Sequence, residues 1–138
     1  MRFFFVLYLL SGIFLTLNAL EWEDEYEDAH AKALQENKII YVFIAGESCH
    51  WCRKMEDTTM RNKEVLKRLE KNFISVELIR GFDNYPDMFK TKMVPKHFFL
   101  TSNEKKIYTI PGYWDTENFI SILDNVVSEY KKIKGKKQ

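Results

Sequence analysis

A third cysteine is missing from the 138-residue chain. With only Cys49 and Cys52, no disulfide scaffold can carry the fold, which has to stand on an apolar core. An excess of either charge is missing too. The 21 basic and 20 acidic side chains leave a formal +1, which gives no reason to expect nucleic acid as a partner. No internal repeat and no linker divides the chain, so its length suits one domain. What is plentiful is aromatic side chains, 15% of all residues, enough for a substantial core.

The N-terminus, Met1-Arg2 and then an apolar run to Leu17, has the charged and hydrophobic regions of a secretory signal. Ala19 offers a small residue before a cut ahead of Leu20, although Leu17 is larger than the usual pattern prefers. Residues 3–20 are also long enough for an uncleaved membrane anchor. Both readings leave Arg2 inside and the acidic residues 21–28 exported. No lipobox cysteine is present and Lys136-Lys137-Gln138 is not an endoplasmic-reticulum retention signal, so a bacterial periplasm is the expected compartment. The expected division is a signal or anchor over residues 1–19, one domain over 20–133 and a basic tail over 134–138.

Residues 21–36 place Trp22, Tyr26, Ala29, Ala33 and Leu34 at the spacing of an amphipathic helix, which Asn37-Lys38 ends. The unbroken apolar run over residues 39–45 predicts a central strand covered on both faces. Gly46 permits a sharp exit from it. Helix formers continue from Cys49 to about Asp57. Asn62 then caps a further helix over 63–71 that carries Val65, Leu66 and Leu69 inward. Residues 73–78 read as a strand, and 85–92 as a short helix with Pro86 in its first turn. Pro95 opens a strand through Leu100, where a proline spoils no ladder bond. Residues 101–104 turn the chain into a strand over 105–110. Asp115 or Thr116 caps a last helix with Phe119, Ile120, Leu123, Val126, Val127 and Tyr130 as its apolar stripe. The order αβαβαββα predicts an α/β fold: a central mixed sheet flanked by helices, with an N-terminal helix.

The chemistry gathers at Cys49-His50-Trp51-Cys52. A strand feeding Cys-x-x-Cys at a helix start places the first sulfur at the positive end of the helix, which favours the nucleophilic thiolate. Cys52 lies one turn along the same face, within bonding reach. The pattern points to redox chemistry. A purely structural staple would close a very short loop, where a crosslink stabilises least. His50 as a cation would stabilise the Cys49 thiolate and make the pair more oxidising; as a neutral imidazole facing solvent it would do little. Trp51 reads as a contact surface for substrate. His97 could join the two cysteines around a metal, but structural zinc takes four ligands and the third and fourth are not supplied at fixed spacing; no metal is expected. With no glycine-rich dinucleotide fingerprint, no cofactor is expected either, and reducing power has to come from a partner.

Strand, Cys-x-x-Cys, Val94-Pro95 before a strand, hairpin and final helix resemble the thioredoxin superfamily over residues 22–130. Cys52-Arg53-Lys54-Met55-Glu56, Asn62-Lys63-Glu64-Val65 and Gly112-Tyr113 with Phe119 are most similar to the C-terminal thioredoxin-like domain of the DsbD reductase and to small exported relatives. The resemblance implies an exported thiol–disulfide oxidoreductase in which Cys49 attacks substrate disulfides and Cys52 resolves the mixed disulfide. It makes Pro95 the cis-proline facing the cysteines and Val94 the residue offering its backbone to a substrate strand. Gly112 and Tyr113 then line the far side of the groove with Pro111, and Glu56 moves the proton of Cys52. His50 and Trp51 complete the substrate-contacting set. Two departures stand out. Ser48 occupies a position often held by tryptophan, and Phe43 one where many members bury an aspartate, which leaves Glu56 or water to handle the proton. The stretch from Cys52 to Pro95 has no room for the helical insertion of DsbA-like oxidants, and the first helix follows the signal almost at once, leaving no dimerisation domain. A reductant or electron relay is therefore expected, monomeric and served by a membrane electron donor, with disulfide-containing or dithiol proteins as partners. The rival expectation is a non-catalytic thioredoxin-like module that binds a partner peptide beside Val94.

Overall fold

The computed structural model describes residues 20–136. The expected signal or anchor over residues 1–19 and the last two residues of the tail lie outside the described residues. The chain runs β1 (Trp22–Glu23), α1 (Tyr26–Glu36), β2 (Ile39–Ala45), α2 (His50–Asp57), α3 (Lys63–Asn72), β3 (Phe73–Ile79), β4 (Lys96–Leu100), β5 (Lys106–Pro111) and α4 (Thr116–Gly135). The five strands form one sheet in the order β1-β3-β2-β4-β5. The β1–β3 and β3–β2 pairs are parallel; the β2–β4 and β4–β5 pairs are antiparallel.

Every residue of β2 is buried because the strand is central and covered on both sides. Ile40, Val42 and Ile44 meet Tyr26, Ala29 and Ala33 of α1 on one face. Ile39, Tyr41 and Phe43 meet Met55, Val65, Leu69, Phe119 and Leu123, from α2, α3 and α4, on the other. A strand's period of two sends alternate residues to opposite layers, so a run apolar throughout is what this position requires. The helix ends follow local chemistry. Asn37 closes α1 in the left-handed region at φ 54°, Asn62 Oδ1 accepts from the backbone N–H groups of Glu64 and Val65, and Asp115 Oδ1 accepts from that of Asn118.

The structure changes three of the sequence expectations. Residues 21–25 are not helical: Trp22 and Glu23 pair in register with Ser75 and Val76 of β3. The Trp22 ring lies 6.1 Å from that of Tyr41 and 6.2 Å from that of Phe43, on the sheet face opposite α1, so it cannot share the stripe of Tyr26, Ala29 and Ala33. Leu34 also leaves that stripe, 49% exposed. Residues 85–92 make only a single 3₁₀ turn at Asp87–Phe89. Pro86 is extended before it, and the segment is held by buried Phe89, edge-on to Tyr26 at 4.8 Å and to Phe98 at 5.2 Å. The last helix, α4, runs to Gly135.

Candidate redox site at the Cys49–Cys52 pair

Cys49 is the N-cap of α2. Its Sγ accepts from the Cys52 backbone N–H at 3.1 Å, so one of the helix's unsatisfied donors points at the sulfur. The two cysteines are disulfide-bonded, with Cα atoms 5.2 Å apart. Their exposure is unequal, 9% for Cys49 against 1% for Cys52, which makes Cys49 the more accessible residue of the pair. The Arg53 guanidinium donates to the Glu47 carbonyl at 3.2 Å and tethers the loop before the motif to the first turn of α2.

Gly46 does its work differently from the expectation. Its φ is not in the left-handed region. Instead a Cβ there would lie 3.0 Å from Val94 Cγ2, so the missing side chain lets Val94 close onto the cysteine loop. The Val94–Pro95 peptide bond is cis. The Pro95 carbonyl accepts from the Gly112 N–H at 2.7 Å, and Gly112 adopts φ +85°, a conformation that favours glycine. Val94-Pro95 and Gly112-Tyr113 are thereby joined into one rim. Tyr113 meets Trp51 at 5.6 Å between ring centroids. Lys54 Nζ sits 4.9 Å from the Trp51 ring and 4.8 Å from that of Tyr113, a cation held between two π faces. His50 packs edge-on to Trp51 at 5.3 Å. Trp51 itself remains 51% exposed.

Behind this rim lies His97, fully buried. Its Nε2 is 2.9 Å from the Gly112 carbonyl and its Nδ1 is 2.8 Å from the Tyr41 hydroxyl. A carbonyl only accepts, so Nε2 carries the hydrogen and Nδ1 accepts from Tyr41. Burial holds the His97 pKa down at about 4 and pushes that of Tyr41 well above its ordinary value, so both are neutral. Both ring nitrogens being used this way, His97 positions Gly112 and, through it, Pro95, rather than reaching toward the sulfurs.

Glu56, on the next turn of α2 after Cys52, lines with Cys52 an open cleft that also holds Glu77, Asp83 and Phe82. Glu77 was not singled out by sequence. It stands in register beside Phe43, one strand away from the position where many of the resembling proteins bury an aspartate. Burial raises its pKa to about 7, helped by a hydrogen bond with the Glu56 carboxyl and by the charges of Glu56 and Asp83. The available sequence signal was an acidic residue breaking the apolar run of β3. Phe82, 72% exposed, and Met93, 58% exposed, are further apolar side chains in loops beside this site.

Cys49, His50, Trp51, Cys52 and Glu56 thus lie on α2 and its N-cap, and Val94, Pro95, Gly112 and Tyr113 form a rim that meets them at Gly46 and Trp51, on a five-stranded mixed sheet with helices on both faces: a thioredoxin-like protein bearing a Cys-x-x-Cys pair. The chain belongs to the family Thioredox_DsbH, described as a protein of unknown function, DUF255, which it matches over residues 8–137. It is 34% identical over 86 residues to spermatogenesis-associated protein 20 of Homo sapiens, a stretch that covers 62% of this chain and 10% of that protein. The chain therefore spans about a tenth of the length of the curated relatives it matches first. Among solved structures, the DsbH oxidoreductase superposes with a TM-score of 0.61 at 20% identity, covering 80% of this chain and 85% of that one. The DsbD C-terminal domain of Neisseria meningitidis in its oxidised form does so with a TM-score of 0.60 at 17% identity, covering 76% and 98%. At these identities the likeness is one of fold.

Proposed function

We propose that the protein is an exported thiol–disulfide oxidoreductase that reduces, or relays electrons to, disulfides of other proteins. The observation that carries this reading is the pairing of Cys49, at the N-cap of α2 and the more exposed of the two, with a fully buried Cys52 bonded to it. In the reducing direction Cys49 attacks the substrate disulfide and Cys52 then displaces the substrate, with Glu56 handling the proton of Cys52. Val94, Pro95, Gly112 and Tyr113 form the edge for an extended substrate segment, and His50 and Trp51 its other wall.

Topology supports the reducing direction. Between Cys52 and Pro95 the chain is used up by the rest of α2, by α3 and β3, and by two 3₁₀ turns, with no inserted helical domain. The donor is a membrane electron carrier and the compartment the periplasm, reached through the N-terminal signal or with residues 3–20 as anchor. Among the described residues no helix is long and apolar enough to cross a membrane. The working form is a monomer.

Insulin reduction with dithiothreitol separates this reading from that of a peptide-binding module with idle cysteines, which gives no turnover. Acid quench and alkylation in cells then tests direction. The expected result is a pool held mainly as the dithiol that becomes oxidised when its membrane donor is deleted. A pool mostly disulfide-bonded in normal cells, with rapid oxidation of reduced unfolded proteins in vitro, overturns the reducing assignment.

A further inference from the structure

We propose that Glu77 and Glu56 together form a two-carboxyl proton relay serving Cys52, with Glu77 in the place of the acid that β2 lacks. The inference deepens the oxidoreductase reading and rests on it. Three observations converge. Phe43 occupies the β2 position beneath the cysteines and is fully buried, so that strand offers no acid. Glu77 is its in-register neighbour on β3, which carries a carboxyl to the same face of the sheet. Cys52, Glu56 and Glu77 line one cleft open to water, which gives the relay an outlet for its proton.

The charged surroundings leave the pair to one another. From α2 and the loop before it, Arg53 and Glu47 line the cleft with opposite charges, Arg53 donating to the Glu47 carbonyl, while the charges that act on Glu77 are those of Glu56 and Asp83. Beyond α2, Arg61 lines the neighbouring cleft beside Glu56 and Glu77 and is bridged to Asp57 at 3.2 Å. From the loop after β3, Asp83 adds a further negative charge, its own Oδ2 accepting from the Ile79 N–H. From β2, Phe43 stands beside Glu77 and the buried, neutral Tyr41 feels its charge; Trp22 of β1 lines the second cleft. Burial and the neighbouring Glu56 and Asp83 carboxyls let Glu77 hold its proton up to about pH 7. That is the range in which a proton acceptor for a thiol is useful.

In resolution of the mixed disulfide, the Sγ–H bond of Cys52 breaks and its proton passes to an ionised carboxylate of the Glu56–Glu77 pair. The Cys52 thiolate forms a bond to Cys49 Sγ as the bond between Cys49 and the substrate sulfur breaks. The electron pair leaves on that sulfur, which takes a proton from water. The two cysteines end oxidised by two electrons and the substrate disulfide reduced. In the reverse direction the pair returns its proton to Cys52 as the disulfide opens.

The relay is tested without any substrate by following the thiolate absorbance of Cys52 against pH in the Cys49→Ser protein. Glu77→Gln and Glu56→Gln are each expected to lower the Cys52 pKa, since a neighbouring negative charge is removed. In single-turnover resolution at pH 7 the same substitutions should slow the step about tenfold and abolish its inflection near neutrality. The loss stays below the usual contribution of a general base because cleft water reaches Cys52. Glu77→Asp should restore part of both. Carbon-13 NMR of the Glu77 carboxyl in the unmutated protein covers the case of a variant that does not fold: its titration must move between the disulfide and dithiol forms. A Cys52 titration unchanged in both Gln variants, or a Glu77 titration identical in the two redox forms, overturns the relay. Absence of insulin reduction by the unmutated protein, with those titrations coupled as expected, would instead sink the oxidoreductase reading.

Discussion

Acidification should destabilise the protein through His97. The ring is fully buried between Tyr41 and Gly112, and burial holds its pKa at about 4, below the ordinary 6.5. The bond to Gly112 works weakly against that burial and the nearby Lys96 charge adds to it. In the unfolded chain His97 takes up its proton near pH 6.5, while the folded protein refuses it until about pH 4. Between those values the unfolded state binds more protons, so stability falls as pH falls. The gap of about 2.5 pH units, at about 1.36 kcal/mol each, is a loss of about 3 kcal/mol by pH 4 and none above about pH 7. Glu77 acts in the opposite sense. Its pKa is raised from 4.5 to about 7, so its contribution is fully present below pH 4.5 and is lost as pH rises through 7. The unmutated protein alone therefore shows a blend of the two, and His97→Phe isolates the histidine. That variant keeps a planar ring but leaves the Tyr41 hydroxyl and the Gly112 carbonyl unpaired, at about 1–3 kcal/mol each. Urea unfolding at pH 7.5 should find it less stable than the unmutated protein, and by pH 4 the difference should have shrunk by about 3 kcal/mol. A difference that stays constant from pH 7.5 to 4 refutes the reasoning.

Alkylation by iodoacetamide across pH, on Cys49→Ser and Cys52→Ser separately, should find Cys49 the faster-reacting thiol at neutral pH, with a pKa below that of a free cysteine, as its N-cap position and greater exposure require. Faster reaction at Cys52 would reverse the two roles. Gly46→Ala should raise the KM for a disulfide peptide several-fold, because the added Cβ meets Val94 Cγ2 at 3.0 Å and the β-branched side chain has little freedom to turn away. The neutral-pH alkylation rate of Cys49 should be kept. Net stability should change by less than about 1 kcal/mol, since the less flexible unfolded chain offsets the crowding; an unchanged KM would show that Val94 does not bear on substrate.

Much of this protein is written locally in its chain. The fully apolar stretch over β2, the caps at Asn62 and Asp115, the turn at 101–104 and the stripe of α4 each depend on residues within a few positions of one another. The spacing of Cys49 and Cys52 at a helix start is local in the same way, as is the Val94-Pro95 step before β4. What periodicity could not decide was which face a residue would turn to once neighbouring strands arrived. Trp22 fits a helical stripe by spacing, yet pairing with β3 and the rings of Tyr41 and Phe43 take it to the other side of the sheet. Residues 85–92 look helical by composition, yet the burial of Phe89 against Tyr26 and Phe98 outweighs a propensity too weak to nucleate two turns. The buried His97 and the acid beside Cys52 are tertiary facts of the same kind. Tyr41 reaches His97 across 56 positions, and Glu77 meets Glu56 only because parallel pairing sets it beside Phe43. Side chains so far apart in the chain acquire their pKa values from burial and from one another, and both come into being only when the sheet closes.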